Sequence, residues 1–335
     1  MLQVALFGAG RIGQIHGRNV AARDDAQICC VIDTDPAAAA RLAAALGAEA
    51  GDAAIALRDP AISAVVIATS TDTHAALIQA AARAGKAIFC EKPLDLDAGR
   101  ARETLTVVTE TGALLALGFN RRYDPSFRRL RDEIAAGRIG RVEVVSITSR
   151  DPAPPPAGYI GRSGGLFRDM MIHDLDMARW LLGGEPVRVY ARGSALIDAA
   201  IGAEGDIDTA VVVLETADGR LCQITNSRRC AYGYDQRIEV FGSLGMVRAG
   251  NQTATSVEVA GPSGFGTEPA LPFFLERYAA AYRAEIDEFV RAVKGERADC
   301  VTGSDGLQAL VLANAAQQSL QTGQAVSVPL RVSRP

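Results

Sequence analysis

The sequence is poor in the residues that build metal centres and disulfide frameworks. Its 335 residues include three histidines and six cysteines, and no two cysteines stand in a Cys-x-x-Cys spacing. Disulfide frameworks are typical of small secreted chains. Cys29, Cys30 and Cys90 instead lie in apolar runs, where a free thiol behaves as a small buried hydrophobe. We therefore expect free thiols and no metal.

Basic runs and long apolar runs are also missing. The net charge is −4, from 35 basic and 39 acidic residues, and basic residues cluster only in pairs such as Arg121–Arg122. This distribution argues against a nucleic-acid partner. No uncharged apolar stretch reaches membrane-spanning length, and the first residues, MLQVALFGAGRIG, turn directly into a glycine loop, unlike a signal peptide. We expect a cytoplasmic protein without a membrane partner.

The first third of the chain alternates short apolar runs with helical, alanine-rich segments. The expected strands are QVALFG, QICCVID, SAVVIAT, KAIFCEK and ALLALGF. Continuously apolar strands are typical of a parallel sheet covered on both faces, and strand–helix alternation predicts a doubly wound α/β fold. Because 335 residues suggest two domains, we expect a dinucleotide-binding Rossmann domain over 1–120.

The strand–helix alternation ends after Phe119. The pattern that follows predicts an α+β domain over 121–335. Helices are expected near 125–136, through DMMIHDLDMARWLLG, and over about 274–294 and 303–321. Expected strands, with the alternating pattern of a large, mainly antiparallel open sheet, are VRVYARGSAL, DTAVVVLETADG, RLCQITNSRRC, QRIEVFGSLG, SVEVA and AVSVPL. The Asp-Gly in ETADGR predicts a hairpin turn.

A glycine fingerprint opens the first domain. Gly8, Gly10 and Gly13 form G-x-G-x-x-G between a strand and a helix, and Asp33 ends the next strand twenty residues later. The motif is weak alone, but this context is the one that binds a dinucleotide pyrophosphate at a helix N-terminus. A carboxylate at Asp33 can accept the ribose hydroxyls and would repel a 2′-phosphate. No basic residue is adjacent, so we expect NAD.

Two stretches could carry chemistry. CEKP places Lys92 at the carboxyl end of a strand, where ligands bind in such sheets; an ordinary surface lysine is the alternative. DMMIHDLD places Asp169 and His173 four residues apart, so one helix would bring them to the same face. Aspartate could then orient His173 as a base. The alternatives are a structural contact and a metal site that also uses Asp174.

For the other polar residues near these stretches, the sequence predicts structural roles. Asp174 and Asp176 lie off the face of His173 and are read as solvated, capping or packing groups. His16 is read as an exposed or packing residue of the first helix, and His74 as a helix-start residue near the cofactor cleft. These readings leave Lys92, Asp169 and His173 as the candidates for chemistry.

The motifs together resemble a known family. The glycine fingerprint, CEKP, GFNRRYDP, GGLFRDMMIHDLDMARW and YGYDQRIEVFGSLG occur in the order found in the glucose–fructose oxidoreductase/inositol dehydrogenase/rhizopine-catabolism family. The resemblance covers essentially the whole chain. AGKAIFCEKP, NSRRCAYGYDQRIEVFGS and SRDPAPP are similar to the pattern of the bacterial inositol 2-dehydrogenase subgroup.

This resemblance implies an activity and assigns residues to it. It implies NAD-dependent oxidation of myo-inositol to 2-keto-myo-inositol by a homotetramer, with Lys92, Asp169 and His173 as the catalytic triad. Arg122 and Tyr232 match positions that line a polyol pocket beside those three. We expect the cofactor to contact a larger set, namely Gly8, Gly10, Arg11, Ile12, Gly13, Asp33, Thr69, Glu91 and Lys92.

Two rival functions remain open from the sequence. The first is a dehydrogenase of the same family that acts on another polyol or sugar, such as scyllo-inositol, glucose or xylose. The second is a non-enzymatic NAD-binding sensor, which would be expected to lack Lys92 or His173, and both are present. The sequence therefore favours an enzyme but separates the possible substrates poorly.

Overall fold

The computed structural model of the chain describes residues 1–329. Within this range the chain forms two compact units. The first comprises Met1–Tyr123 and Ala280–Leu310, and the second comprises Asp124–Ala279 and the residues from Val311 onward.

The helices and strands are numbered along the chain. The strands are Leu2–Phe7 (β1), Ala26–Ile32 (β2), Glu49–Ala50 (β3), Ala64–Ile67 (β4), Ala87–Glu91 (β5), Leu115–Gly118 (β6), Val142–Arg150 (β7), Pro186–Ser194 (β8), Thr209–Thr216 (β9), Leu221–Ser227 (β10), Asp235–Gly242 (β11), Gly245–Ala249 (β12), Glu258–Gly261 (β13), Gly264–Thr267 (β14) and Val326–Ser327 (β15). The α-helices are Arg11–Ala21 (α1), Pro36–Leu46 (α2), Ala53–Arg58 (α3), Thr71–Arg83 (α4), Ala98–Thr111 (α5), Pro125–Ala135 (α6), Ala157–Ser163 (α7), Gly165–Asp169 (α8), Ile172–Leu182 (α9), Ala199–Ala203 (α10), Phe274–Arg277 (α11), Ala279–Val293 (α12) and Gly303–Thr322 (α13).

The first unit is built on a parallel sheet. Its strand order is β3-β2-β1-β4-β5-β6, and every neighbouring pair is parallel. The order reverses between β1 and β4, and ligands of such sheets bind at the carboxyl ends of the strands beside this reversal. The predicted doubly wound fold is confirmed. The two-residue β3 was not predicted, because a strand so short leaves no periodicity.

Apolar burial and local caps explain why the first unit folds this way. Every residue of β4 is buried, as expected for a central strand between two helical layers. The second helix begins where the side chain of Asp35 accepts a hydrogen bond from the N–H of Ala37, with Pro36 in its first turn. It ends at Gly47, whose φ of 68° is left-handed.

The second unit contains a mixed sheet that is mostly antiparallel. Its order is β12-β11-β7-β10-β9-β8-β15, and only the β7–β10 pair is parallel among its described strands. The predicted large, mainly antiparallel sheet is confirmed, and the Asp218-Gly219 turn joins β9 to β10 as a hairpin. The predicted strand AVSVPL is represented by β15, and its last residue, Leu330, lies outside the described residues.

One face of this sheet is packed within the unit and the other is exposed. Along β9, Ala210, Val212 and Leu214 are buried, whereas Val211 and Val213 alternate with them and are exposed. The ninth helix, α9, packs on β7 and β10. The alternation therefore separates a core face from an apolar outer face.

The helix predicted through DMMIHDLDMARWLLG is divided into two. The segment continues from α8 to α9 through a wide turn, in which the N–H of Met171 donates to the carbonyl of Leu166, five residues back. This is π-type bonding, which inserts a residue into the helical repeat and is frequent at functional sites. The expectation that Asp169 and His173 lie on a single regular helix is therefore wrong.

The helices also bear on membrane association. Within the described residues, none combines the length and the apolar character that crossing a bilayer requires.

Candidate active site

Two glycines of the fingerprint are required by close backbone packing. Gly8 follows β1 with a φ of 101°, and a Cβ there would lie 2.4 Å from the carbonyl oxygen of Ala68. A Cβ on Gly13 would lie 1.9 Å from the carbonyl oxygen of Gly8. No side chain fits at either position without moving backbone, so these glycines hold α1 tightly against the end of β1.

Gly10 has a different environment. A Cβ on Gly10 would meet no atom within 4 Å, so packing inside the protein gives no reason for a glycine. It stands at the N-cap of α1 with extended backbone, followed by Arg11 and Ile12, and among the described residues no side chain caps this helix. The first-turn N–H groups of a helix lack intrahelical partners and attract anions. A cradle of this kind fits a pyrophosphate group.

Asp33 lies beside this cradle at the carboxyl end of β2. Its Oδ2 accepts a hydrogen bond from the N–H of Ala9 at 2.6 Å, and its Oδ1 accepts one from the N–H of Asp35 at 2.8 Å. Burial opposes ionisation, but these backbone hydrogen bonds outweigh it and lower the pKa of Asp33. Each oxygen of a carboxylate can accept more than one hydrogen bond. The carboxylate is thus held ionised at the loop, as dinucleotide recognition requires.

The carboxyl ends of β4 and β5 carry Thr69, Glu91 and Lys92. The hydroxyl of Thr69 lies 2.6 Å from that of Thr73 in the first turn of α4. Glu91 is the last residue of β5, and its Oε2 accepts a hydrogen bond from the N–H of Lys92 at 3.2 Å. Its Oε1 lies 2.7 Å from Nε2 of His16. Lys92 itself is half-buried at the end of the strand.

The two histidines of the first unit are both buried. His16 is 0% exposed and contacts Glu91, so it belongs to the packed interior. Nδ1 of His74 lies 2.8 Å from the carbonyl oxygen of Pro93. Burial lowers the pKa of His74, although the carbonyl contacts oppose that shift. His74 thereby ties the start of α4 to the segment after Lys92.

Arg122 lies in a short 3-10 helix, Asn120–Tyr123, that follows β6. Its guanidinium is 3.2 Å from the carboxylate of Asp305 in the first turn of α13. Both side chains are only partly exposed. The ion pair orients the half-buried guanidinium at the end of the first segment of this unit.

Asp169 and His173 both belong to the second unit. Asp169 ends α8, and its carboxylate accepts a hydrogen bond from the hydroxyl of Tyr159 at 3.1 Å. Its other oxygen lies 3.5 Å from the guanidinium of Arg228, which is 2% exposed. His173 is the second residue of α9 and is half-buried. These contacts fix the position of the Asp169 side chain at the wide turn.

Asp174, next to His173, is a packing group. It is 0% exposed, and its two oxygens accept hydrogen bonds from the hydroxyl of Ser149 at 2.6 Å and from the amide of Asn226 at 2.9 Å. Among the three roles expected for it, the structure selects packing. Its two partners are matched residues of β7 and β10, so this carboxylate attaches the first turn of α9 to the sheet.

Tyr232 lies in the loop before β11. The residue is 45% exposed, and its hydroxyl donates to the carboxylate of Asp235 at 2.7 Å. Burial and that carboxylate raise the pKa of Tyr232. Arg150 contacts both Tyr232 and Asp235. Arg150 and Asp235 therefore fix the orientation of the Tyr232 hydroxyl, and the tyrosine side chain stays partly exposed.

Sequence reasoning missed two kinds of residue. Arg228, beside Asp169, gave no more signal than any arginine in a pair, since burial of a guanidinium depends on distant chain segments. Among the described residues, the His, Cys, Asp or Glu side chains close enough together to share a metal ion are His16, Glu91 and Glu285, and not the set around His173. Only the position of Glu91 in CEKP could have drawn attention to that group.

Comparison with known proteins places the chain among dehydrogenases. The model described as "Oxidoreductase family, NAD-binding Rossmann fold" matches residues 2–119, and that described as "GFO/IDH/MocA C-terminal domain" matches residues 127–248. Inositol 2-dehydrogenase of Rhizobium meliloti is 53% identical over 98% of this chain and 99% of its own length. Myo-inositol 2-dehydrogenase of Thermotoga maritima is 43% identical over 98% of each chain.

Solved structures agree with these relatives. A myo-inositol dehydrogenase from Corynebacterium glutamicum superposes with a TM-score of 0.94 at 42% identity, covering 99% of this chain and 100% of its own. The scyllo-inositol dehydrogenase of Lactobacillus casei, with bound NAD(H) and scyllo-inositol, superposes with a TM-score of 0.91 at 30% identity. That match covers 98% of this chain and 99% of the other.

Proposed function

The chain belongs to the GFO/IDH/MocA family of NAD-binding oxidoreductases, and from this premise we propose that it is an NAD-dependent inositol 2-dehydrogenase. The substrate is myo-inositol, and the product is 2-keto-myo-inositol. The observation that carries the proposal is the dinucleotide cradle at Gly10, bordered by the ionised Asp33, in a chain matched end to end by two inositol dehydrogenases. Such an oxidation suits a role in inositol catabolism.

The proposal assigns a role to each part of the chain. Residues 1–120 bind the cofactor through Gly8, Gly10, Arg11, Ile12, Gly13, Asp33, Thr69, Glu91 and Lys92. Residues 121–335 bind the polyol and form the assembly. When bound, NAD supplies the nicotinamide that accepts a hydride.

His173 is the proposed base. Oxidation of a secondary alcohol requires the hydroxyl proton to leave as the C–O bond gains carbonyl character, and a neutral imidazole can take that proton. Asp169 stabilises the imidazolium that results. Lys92 stabilises the negative charge that develops on the hydroxyl oxygen. The support is chemical: all three residue types are present, and Asp169 is held by Tyr159 and Arg228.

Arg122 and Tyr232 are the proposed contacts to the other hydroxyls of the ring. A guanidinium offers several N–H donors, and a tyrosine hydroxyl can both donate and accept. Their fixed partners, Asp305 and Asp235, orient them before a ligand arrives. Preorganised polar groups of this kind are what a ligand rich in hydroxyls needs.

A panel of polyols tests the proposed substrate. Purified protein is incubated with NAD and with myo-inositol, scyllo-inositol, glucose or xylose, and the absorbance of reduced nicotinamide is followed. We expect the highest kcat/KM with myo-inositol. Inert myo-inositol together with rapid oxidation of another compound would transfer the proposal to that compound. No turnover with any of them would favour the sensor.

We also propose a homotetramer. The outer face of the second-unit sheet carries exposed apolar side chains from five strands, which would be costly to leave in water. They are Tyr190, Val211, Val213, Leu221, Phe241 and Met246. A second copy offers a matching face. Light scattering at micromolar concentration should give a tetramer mass, and a monomer there would refute the assembly.

A cytoplasmic location completes the proposal. All six cysteines are free thiols in the structure, as suits a reducing compartment. Fractionation of the source cells, with activity measured in each fraction, checks it.

A further inference from the structure

Three ionisable side chains meet in the interior of the first unit, next to the strand end that carries Lys92. We name His16 of α1, Glu91 of β5 and Glu285 of α12 the inner cluster. Their exposed fractions are 0%, 8% and 1%, and one polar atom from each lies within 4.8 Å of the other two. None of the roles assigned above uses His16 or Glu285. A cluster so deeply buried requires an account of its charge.

The net charge of the inner cluster depends on whether Glu285 is ionised. Both of its carboxyl oxygens are buried, and neither is hydrogen-bonded to any described residue. An isolated carboxylate in such a place is very costly. Burial, together with the nearby Glu91 carboxylate, raises the pKa of Glu285 well above its usual range. We therefore expect Glu285 to carry its proton at neutral pH.

The distances favour protons over a metal ion. Nε2 of His16 and Oε1 of Glu91 are 2.7 Å apart, which is a normal hydrogen-bond length. Two ligands of a tetrahedral Zn²⁺ ion, each about 2.0–2.1 Å from it, would lie about 3.3 Å apart. On His16, Nδ1 is buried without a hydrogen bond to a described residue, and the short distance from Nε2 to Oε1 of Glu91 requires one proton between those two atoms. A single shared proton therefore accounts for the distance between His16 and Glu91, and a metal ion is not needed to explain it.

Glu91 connects the inner cluster to Lys92. Its Oε1 is engaged by His16, and its Oε2 accepts the backbone N–H of Lys92 at 3.2 Å. Gly118 on β6 closes the remaining side, because a Cβ there would lie 3.0 Å from the carboxyl carbon of Glu91 and 3.1 Å from each oxygen. The carboxylate is thus confined by a histidine, a backbone donor and a glycine.

We propose that the inner cluster is a positioning device for Lys92, in which neutral Glu285 keeps its proton so that Glu91 remains the one carboxylate charge shared by His16 and the Lys92 backbone. The proposal rests on the proposed function, because Lys92 matters only if it is the cation at the reacting oxygen. Glu91 is a positioning residue here and not a catalytic one. Ionisation of Glu285 would place a like charge beside Glu91 and disturb the hold on Lys92.

The proton on Glu285 is tested directly by infrared spectroscopy. A protonated carboxylic acid has a C=O band separate from that of carboxylates, so the wild-type protein in D2O at neutral pH should show a buried-acid band. Glu285→Gln should remove it, and Glu110→Gln, at an exposed carboxylate of α5, should leave it unchanged. Absence of the band in the wild type, or a stoichiometric metal ion in the purified protein by plasma mass spectrometry, would overturn the proposal.

Kinetics tests the positioning role. Glu285→Gln keeps a neutral group of the same shape and should retain wild-type kcat. Glu91→Gln loses one of the two acceptors and should lower kcat, by up to about 10²-fold because small misplacements of a reacting group are this costly. NAD titration should give an unchanged Kd in Glu285→Gln, because Glu285 is assigned no contact with the cofactor. Equal losses of kcat in the two variants, or none in Glu91→Gln, would contradict the proposal.

A second variant covers the case in which Glu91→Gln does not fold. Gly118→Ala changes no charge but presses on the Glu91 carboxylate, whereas Gly250→Ala meets no atom within 4 Å and is the matched control. We expect Gly118→Ala to lower kcat with Tm and the NAD Kd retained, and Gly250→Ala to behave as wild type. Unchanged kcat in Gly118→Ala would refute the role. If the wild type oxidises no polyol, the proposed function fails, while the infrared and metal measurements still decide the state of the cluster.

Discussion

Replacing Asp33 by asparagine should weaken NAD binding by an amount that its contacts allow us to work out. Each carboxylate oxygen of Asp33 holds one backbone N–H, from Ala9 at 2.6 Å and from Asp35 at 2.8 Å, and can still accept a ribose hydroxyl. Asparagine keeps one acceptor oxygen and turns the other position into a donor. One hydrogen bond to a charged group, worth about 1.5–3 kcal/mol, is lost from the complex. The Kd for NAD should rise about 10- to 150-fold.

The assay is an equilibrium titration with NADH, followed by its fluorescence, for the wild type, Asp33→Asn and Asp35→Asn. Asp35 caps α2 with its side chain, and asparagine caps equally well, so the Asp35→Asn control should bind NADH like the wild type. NADP should gain relative to NAD in Asp33→Asn, because the charge that repels a 2′-phosphate is gone. An unchanged Kd for NADH in Asp33→Asn, or wild-type protein that binds NADP as tightly as NAD, would refute the role of Asp33.

The pKa of Asp33 also fixes a pH dependence. Because the folded state lowers this pKa, the contribution of Asp33 to stability is present above the unfolded pKa and is lost as the pH falls through the folded one. Over the neutral range the carboxylate stays ionised, so Asp33 adds no pH dependence to NAD affinity there.

Three further variants test the second unit. His173→Ala should lower kcat by about 10²–10⁴-fold with NAD affinity retained, and wild-type kcat/KM should rise with pH as the base becomes neutral. Steady-state kinetics and NAD titration check these two expectations. Near wild-type turnover in His173→Ala would exclude His173 as the base. Asp169→Asn should keep the fold by circular dichroism and lower kcat, since an amide stabilises an imidazolium poorly; unchanged kcat would contradict this. Asp124→Ala should lower the free energy of unfolding in urea by about 3–5 kcal/mol, because Arg277, 3% exposed, loses its buried partner. The control is Asp52→Ala, which removes an exposed helix cap and should lower the free energy of unfolding by only about 1 kcal/mol.

The features that could be predicted from the sequence are those set by neighbours along the chain. Continuous apolar runs identified the strands of the parallel sheet, and the series of short strands after residue 187 identified a second, mainly antiparallel sheet. The fingerprint glycines were predictable for the same reason. A Cβ at Gly8 or Gly13 would lie less than 2.5 Å from a backbone oxygen, of Ala68 or of Gly8 respectively, so the strand–turn–helix and the end of its adjacent strand require both glycines.

The features that could not be predicted depend on residues far apart in the chain. Glu285 lies almost 200 positions from Glu91, and only folding reveals that the two share one buried space. The parallel pairing of β7 with β10 breaks an antiparallel pattern without a local signal. The wide turn between α8 and α9 adds one residue to a helical repeat, and a periodicity of apolar positions tolerates such an insertion.

The hydrogen bonds of Asp174 couple the unfolding of the first turn of α9 to that of the sheet. Ser149 and Asn226 are cross-strand neighbours, and Asp174 accepts a hydrogen bond from each, so detaching the first turn of the helix would leave buried polar groups without their partners. The amide proton of Leu175, which is bonded to the carbonyl of Met171, should therefore exchange with solvent as slowly as those of the two strands. The π-type turn at Met171 marks the limit of this block.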